Sequence, residues 1–175
     1  MAPLPEADLR CWFNFLNAHT DLTRRLDAEL ESAHRISLAE HTVLQQLVIG
    51  GGHLRMSDLA DTVLLSPSGV SRLVDRLVAD GLIERRPCGD DGRAVHAAIT
   101  GAGRELLARA EPTFTAALRR QFVDRYSAEE YETLADLLLR VAPACRNRQA
   151  SKDSLPPVGG GSGWGSDSGK EVTKR

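Results

Sequence analysis

Apolar residues recur every three or four positions near the start of the chain, and this spacing predicts a long amphipathic helix over residues 7–33. About seven turns of helix are more than a small core needs, so part of the apolar stripe is expected to pack on a second subunit. The stripe consists of Leu9, Trp12, Phe13, Leu16, Leu22, Leu26, Leu30 and Ala33.

Three further helices are predicted before residue 81. The segment ISLAEHTVLQQLVIGGG begins with a capping box, Ser37 and Glu40, and ends at a run of glycines. After the extended stretch HLRM, the segment MSDLADTV has one apolar face over two turns. The tight link LLSP leads into the next helix, where Ser66 is a natural N-cap and Pro67 suits the first helical position. Two helices joined by such a turn indicate a helix-turn-helix.

Alternating residues beyond the helix-turn-helix predict a β-hairpin. LIERRP and AVHAAI have the pattern of its strands, and the turn-rich CGDDGR has the composition of a polar tip. Thr100 then opens another long helix, and a second capping box, Ser127 with Glu130, opens the last one. From about residue 146 onward, glycine, serine, proline and charged residues dominate, which predicts a disordered tail.

Together these elements predict a mainly α fold with a small β-hairpin wing. A winged helix-turn-helix module would lie between long N- and C-terminal helices that form a dimerisation region. The predicted boundaries are 1–36 for the N-terminal dimerisation helix, 37–100 for the winged helix-turn-helix DNA-binding module, 101–145 for the C-terminal dimerisation helices and 146–175 for the tail.

The second helix of the helix-turn-helix has one apolar side and one side rich in hydrogen-bond donors. Small polar residues at its start allow close approach to a groove or a phosphate, and the helix N-terminus favours anions. Arg72 lies one turn further along, within reach of a guanine edge. Alone, such a helix is also typical of a solvated surface, but the short helix before it and the arginine-bearing hairpin after it favour DNA binding. The outward residues are Ser68, Arg72, Asp75 and Arg76.

Composition restricts the class of protein without pointing to DNA. The 175 residues carry a formal net charge of −2, which argues against sequence-blind electrostatic binding, so basic side chains must act through local placement. No stretch has the character of a leader or a membrane span, so a soluble, cytoplasmic protein is expected. Three widely spaced cysteines indicate reduced thiols and not a disulfide framework or a zinc knuckle.

No catalytic or cofactor-binding motif is found in the sequence. The glycines at 50–52 are not followed by the Gly-Lys-Ser/Thr of a P-loop, the serines at 66–71 lack a G-x-S-x-G elbow, and the histidines show no H-E-x-x-H spacing. Asp90 and Asp91 lie between two strands and beside glycines, where turn formation is the ordinary role. An enzyme, a cofactor and a metal site are therefore not expected.

The run LRMSDLADTVLLSPSGVSRLVDRLVADGLIERRPCGDDGRAVHAAITGAGRELL resembles the winged-helix region of the MarR family of bacterial transcription regulators, in the branch common among actinobacteria. The likeness rests on the block LADTVLLSPSGVSRLVDRLVADGLIERR, on the wing pair Asp91 and Arg93, and on the step from Thr100 to Gly103. With the order of the flanking helices it covers about residues 7–142. The resemblance implies a homodimer on an inverted-repeat operator, with repression as the commoner outcome.

The resemblance also implies which residues contact double-stranded DNA. Arg93 would be the wing's minor-groove arginine and Asp91 would brace the wing. Arg86, in the strand that leads to the wing tip, is a further candidate for DNA contact. The helix residues expected to face DNA are Ser66, Ser68, Ser71, Arg72 and Arg76.

A small-molecule effector is a further implication of the resemblance, since the family binds such compounds in a crevice between the dimer helices and the winged helix. An apolar or aromatic compound would suit apolar residues around one titratable group, although the same residues are also typical of an ordinary core. Such an effector would release DNA by favouring a dimer whose reading helices are wrongly spaced. The candidate residues are Trp12, Phe13, Leu16, His41 and Phe114.

Three alternatives remain open. Cys11 lies near the position where peroxide-sensing members of the family carry their reactive cysteine, although the tyrosines that polarise that thiolate have no counterpart here. Glu40 and His41 are similar to residues of zinc-responsive members, but the helix near residues 105–114 offers no histidine partner. In the third alternative, the hairpin and helix bind protein and the chain is a dimeric scaffold. Specific DNA binding would weaken steeply with salt, whereas an apolar protein contact would not.

Overall fold

The computed structural model describes residues 3–63, 67–87 and 95–141. The described helices are α1 (Glu6–His34), α2 (Leu38–Ile49), α3 (Met56–Val63), α4 (Pro67–Ala79), α5 (Gly101–Gln121) and α6 (Ala128–Val141), with a 3-10 turn at Val123–Arg125 before the last one. The described strands are β1 (His53–Arg55), β2 (Ile83–Pro87) and β3 (Val95–Ile99). The predicted mainly α fold, with a helix-turn-helix followed by a β-hairpin, is confirmed.

α2 and α6 begin at the capping boxes that the sequence predicts. At the start of α2 the backbone N–H of Ser37 donates to Oε2 of Glu40 at 2.8 Å, and Oγ of Ser37 accepts from the N–H of Glu40 at 3.2 Å. The same reciprocal bonds join Ser127 and Glu130 at the start of α6, at 2.9 and 3.3 Å. Each box satisfies N–H groups that the first turn of a helix leaves without an intrahelical partner.

The core of the winged helix is centred on α2. Its Val43, Leu44 and Leu47 are fully buried, and α4 packs four apolar residues into the same cluster. Burial of each such side chain contributes about 1.5–3 kcal/mol, so this cluster holds the orientation of α4 firmly. The cluster also takes in Leu107 of α5, so the core continues past the predicted boundary at residue 100.

The sheet has three antiparallel strands in the order β1-β3-β2. β2 and β3 form the predicted hairpin, in which Arg86 pairs with His96. β1 was predicted only as an extended stretch, and the structure adds it as a third strand that places Arg55 opposite His96 and His53 opposite Ala98. The base of the hairpin is thereby tied to the segment between α2 and α3.

A close contact joins the end of the hairpin region to α5. Oγ1 of Thr100 accepts from the backbone N–H of Gly103 at 3.1 Å and donates to the carbonyl of Gly81 at 2.8 Å. A Cβ at Gly103 would lie 2.3 Å from the carbonyl oxygen of Leu82, so only glycine fits there. The threonine and glycine that carry part of the family likeness thus hold α5 against the turn after α4.

α1 and α6 have apolar surfaces that the described part of the chain does not cover. Leu30, in the second half of α1, packs with Ala110 of α5 in a small buried cluster. Trp12 and Phe13, in the first half, are 54% and 55% exposed. α6 contains no buried residue. None of the helices in the described ranges combines the length and apolar character needed to cross a bilayer.

Candidate nucleic-acid interface

α4 has the two different sides that the sequence predicts. Val70, Leu73 and Val74 are no more than 2% exposed and form part of the main core. On the opposite side Ser68 and Arg72 are exposed, and Ser71 is partly exposed. The apolar side therefore fixes the helix, while the polar side is left at the surface.

Arg72 differs from its neighbours on this polar side. Within the described ranges it makes no ion pair, whereas Arg76 lies with Nη2 3.7 Å from Oε1 of Glu40 on α2. Oδ1 of Asp75 forms an ion pair with Nη2 of Arg85 on β2 at 2.7 Å. Among Arg72, Asp75 and Arg76, Arg72 is the one that makes no ion pair with any residue the structure describes. The others also join α4 to its neighbours.

The ion pair between Asp75 and Arg85 connects the helix with the hairpin. Both side chains are substantially exposed, so the pair contributes no more than about 1 kcal/mol to stability. Its effect is geometric, because it fixes β2 beside the polar side of α4. This pair was not predicted from the sequence, since the two residues lie ten positions apart on different elements.

Arg86 points to the other side of the hairpin. Its Nε donates to Oε1 of Glu84 at 2.8 Å, and its Nη2 approaches the same oxygen. Because the two residues are separated by one position along β2, they share one face of the strand. The predicted DNA contact of Arg86 would therefore come from the face of the sheet opposite to Arg85.

Three predicted contact residues, Ser66, Asp91 and Arg93, lie outside the described residues. The remaining described features favour an anion at the start of α4. The first turn of α4 carries no acidic side chain, and the N-terminus of a helix has a partial positive charge. Arg72 follows one turn later, so this end of the helix offers backbone dipoles and a guanidinium to a phosphate or a base edge.

A second site lies where α2 packs on α5. The side chain of His41 is fully buried, and its Nδ1 has no hydrogen-bond partner among the described residues. Nε2 lies 3.3 Å from Oε2 of Glu111, and the ring packs on Phe114 with centroids 4.5 Å apart. Nearby, Nε2 of His34 contacts Oγ1 of Thr113 at 2.8 Å.

Burial lowers the pKa of His41 below its ordinary value of 6.5, and the nearby His34 acts in the same direction, whereas Glu111 opposes the shift. The folded protein therefore holds this imidazole neutral more strongly than the unfolded chain does. Stability from this group is complete above about pH 6.5 and is lost as the pH falls through the folded-state pKa.

We expect the melting temperature to fall as the pH is lowered below about 6.5, and His41→Phe to remove part of that dependence. Phenylalanine keeps a ring against Phe114 but has no proton to gain. The measurement is thermal unfolding at fixed chain concentration over a pH series, with His19→Gln on exposed α1 as the control. Equal pH dependence in the wild type and in His41→Phe would contradict this account.

The five residues proposed to bind an effector do not come together within one chain. His41 and Phe114 are in contact, and Phe114 packs beside Leu30 of α1. Leu16 precedes Leu30 by about 21 Å along the helix axis, and Trp12 and Phe13 lie still further away. These three residues lie on the exposed half of α1, because the stripe in the sequence continues beyond the part of it that α5 covers.

The described structure adds no residue to the predicted zinc-binding and peroxide-sensing sites. Among the described residues, no three histidine, cysteine or carboxylate side chains lie close enough to hold a metal ion together. Cys11 is exposed on α1, next to Trp12 in the sequence. The thiol therefore lies on the uncovered half of that helix and not in the buried contact between α2 and α5.

Comparison with known proteins finds similarity to one family of regulators. The sequence profile described as MarR family matches residues 36–94, from the end of α1 to the wing. Among curated proteins, no sequence matches this chain. Among solved structures, AbsC, a MarR family transcriptional regulator from Streptomyces coelicolor, is 27% identical with a TM-score of 0.77, and the match covers 84% of this chain and 99% of AbsC.

Two further structures extend the comparison. Sco3205, a MarR family transcriptional regulator from Streptomyces coelicolor solved in complex with DNA, is 26% identical with a TM-score of 0.76, over 82% of this chain and 91% of Sco3205. The organohalide-sensing regulator RdhR-CbdbA1625, in its 2,4-dichlorophenol-bound form, shares the fold at 22% identity and a TM-score of 0.71, over 82% and 86% of the two chains. The chain is thus similar to MarR family transcriptional regulators in sequence over residues 36–94 and in fold over 82–84% of its length.

Proposed function

We propose that this protein binds double-stranded DNA sequence-specifically as a homodimer on an inverted-repeat operator, and that it represses transcription until a small effector releases it. The observation that supports this most directly is Arg72, a cation without an ion pair in the described structure, on a helix whose other side is fixed in the core. Sco3205, a regulator with the same fold, was solved in complex with DNA. DNA is accordingly the proposed partner of this chain as well.

Base recognition in the proposal comes from α4. A helix of this diameter fits the major groove, where an arginine one turn from the N-terminus can donate two hydrogen bonds to a guanine edge. Ser68 and Ser71 would contribute hydroxyl groups to phosphates or bases at the start of the helix. Net charge is not the source of affinity, because the chain carries −2 overall.

A second copy of the chain is proposed as the partner of the uncovered helices. α6 has 14 residues and no buried side chain, and an isolated helix of that length is marginal in water. The exposed apolar surface of α6 includes Leu137 and Leu138, and that of α1 includes Trp12 and Phe13. A two-fold axis through these helices would present two α4 helices to successive major grooves, which is the reason to expect an inverted repeat.

The proposed effector site is the contact between α2 and α5. Buried polar groups ordinarily have hydrogen-bond partners, and Nδ1 of His41 has none among the described residues, so an apolar or aromatic compound with one polar group would supply the missing partner beside Phe114. RdhR-CbdbA1625, which shares the fold, was solved with 2,4-dichlorophenol bound. The dimer surface is instead the proposed location of the other three candidates, Trp12, Phe13 and Leu16.

The proposal is tested by selecting preferred duplexes from a random pool with the full chain and titrating the selected duplex against a scrambled duplex of the same length. Binding to the selected duplex should be tighter and should weaken steeply between about 50 and 200 mM salt, because each phosphate contact releases counterions. Failure to enrich any sequence, or an affinity that does not change with salt, would contradict the proposal and favour the protein-binding scaffold.

Glu40→Gln is expected to tighten DNA binding about fivefold at 0.15 M salt, the amount that one additional phosphate contact contributes. Glutamine at the third position of α2 retains the acceptor of the capping box but removes the charge that holds Arg76. The measurement is a titration of the selected duplex. Glu130→Gln is the matched control, since it makes the same change in the capping box of α6. Equal affinities of the two variants would show that Glu40 does not compete for Arg76.

A further inference from the structure

A surface depression lies where the second half of α1 meets the end of α5 and the 3-10 turn that follows it. We call it the α1–α5 depression. Its volume of about 410 Å³ is within the size range of small-molecule sites. It contains no residue of the winged helix and none of the contact between α2 and α5. The lining residues are Arg25, Ala28 and Glu29 of α1, Arg120 and Gln121 of α5, and Arg125 of the 3-10 turn.

The three arginines of the α1–α5 depression come from three different elements and use few of their hydrogen-bond donors within the described chain. Nη2 of Arg120 donates to Oε1 of Glu29 at 2.6 Å, although a guanidinium has five N–H groups. Nη2 of Arg25 lies 3.7 Å from Oδ2 of Asp21, which is too far for a hydrogen bond. Arg125 makes no ion pair with any residue in the described ranges. Most of these donors are therefore left for a ligand.

The α1–α5 depression is positively charged, although the whole chain carries a formal net charge of −2. Three arginines in the lining face one acidic lining residue, Glu29, and Asp21 beside it, so three positive and two negative charges leave one positive charge. The adjacent Arg119 and Asp124, 3.7 Å apart, cancel each other. Guanidinium groups bind oxyanions such as phosphates through paired hydrogen bonds. The electrostatics of the depression thus favour an anion.

Gln121 adds a requirement for a hydrogen-bond donor. Its Nε2 donates to Oε1 of Glu29 at 2.5 Å, which fixes the orientation of the amide. Its Oε1 is buried and has no hydrogen-bond partner among the described residues, whereas buried acceptors ordinarily have one. The side chains of Arg25 and Arg120 are long and mostly exposed, so a small shift of either would admit a ligand to this oxygen. A ligand that satisfies the whole lining therefore combines anionic oxygens with an O–H group.

We propose that the α1–α5 depression binds a phosphate group that carries an O–H, either as inorganic phosphate or at the end of a small phosphomonoester. The oxygens of a phosphate form a tetrahedron, so they can accept hydrogen bonds from guanidinium groups on three elements while the O–H donates to Oε1 of Gln121. A planar carboxylate offers only two oxygens. The bound phosphate would join α1, α5 and the 3-10 turn. The inference does not depend on DNA binding, because no residue of α4 or of the hairpin takes part.

The test is isothermal titration calorimetry of the full chain with inorganic phosphate, glycerol phosphate and sulfate at fixed ionic strength and about pH 6, where both phosphates retain an O–H. The wild type should bind one phosphate per chain and should bind it more tightly than sulfate, which has a similar shape but no proton to donate. Either order of affinity for the two phosphates supports the site and identifies the source of the phosphate group.

Three substitutions test the individual contacts. Arg120→Gln and Arg125→Gln should each weaken phosphate binding by about tenfold or more, because a hydrogen bond to a charged group contributes that much. Gln121→Met should remove the preference for phosphate over sulfate, since methionine has a similar length but lacks the amide oxygen. Arg119→Gln is the matched control and should leave the affinity unchanged, because Arg119 is an exposed neighbour outside the lining.

Circular dichroism checks that each variant is folded. The inference is overturned if the folded wild type binds no phosphate, or if it binds phosphate and sulfate equally. It is also overturned if Arg119→Gln weakens binding as much as Arg125→Gln does, since the arginines would then act only through their overall charge. No DNA is present in these titrations, so their failure would leave the proposed function intact.

Discussion

Arg72→Ala should weaken binding to the selected duplex by about 5- to 150-fold, or roughly 1–3 kcal/mol, and should weaken binding to a scrambled duplex much less. The expected size follows from the position of Arg72. It lies on the exposed side of α4, one turn from the N-terminus, and within the described residues it is not held by an acidic partner. A guanidinium in that position can make two hydrogen bonds to one base, so its loss removes discrimination as well as charge.

The measurement is a pair of titrations, one on each duplex, at a single salt concentration. Arg24→Ala on α1 is the control, because it removes an exposed arginine that is held by Asp21 and lies outside the winged helix. An equal loss of affinity on both duplexes would show that Arg72 contacts a phosphate and not a base. No loss on either duplex would remove α4 from the interface.

The second large effect is expected at the proposed dimer surface. A double change, Phe13→Glu with Leu137→Glu, should convert the chain to a folded monomer and reduce its affinity for the inverted repeat by about 100-fold or more. Both side chains are largely exposed in the single chain, so the charges are tolerated by the monomer. In a dimer they would be buried without partners, which is strongly unfavourable. The operator would then be bound through one half-site at a time.

Sedimentation velocity measures the mass of the variant, and titration of the selected duplex measures its affinity. Val48→Glu on α2 is the matched control, since Val48 is also an exposed apolar residue but lies on neither helix of the proposed surface. The account is contradicted if the double variant remains a dimer. It is equally contradicted if the variant becomes a monomer but binds the operator as tightly as the wild type does.

The sequence was sufficient to predict the helices, because their signals are local. The capping box at Ser37 and Glu40 and the proline at the first position of α4 act within one helical turn, and both are confirmed by the structure. The apolar side of α4 followed from the same short-range pattern. The pairing of β1 with β3 was missed because a three-residue strand has too few residues to show alternation and because its partner lies more than forty positions away.

The polar contacts were predicted less well than the fold. Arg76 was predicted only as a DNA contact, yet it also lies beside Glu40 of α2, and Asp75 is joined to Arg85 of β2. Such pairs depend on how two elements are placed relative to each other in space. The periodicity of either element carries no information about that placement. The predicted effector residues lie on separate elements of one chain, and their shared site stays a prediction. His41 and Phe114 meet where α2 crosses α5, whereas the aromatic residues of α1 extend beyond that crossing.

The most direct test of the central claim is the mass of the complex between the full chain and its selected duplex, measured by native mass spectrometry at low ionic strength. The account predicts two chains on each duplex that contains an inverted repeat. A chain that remains monomeric and binds none of the selected duplexes would contradict it.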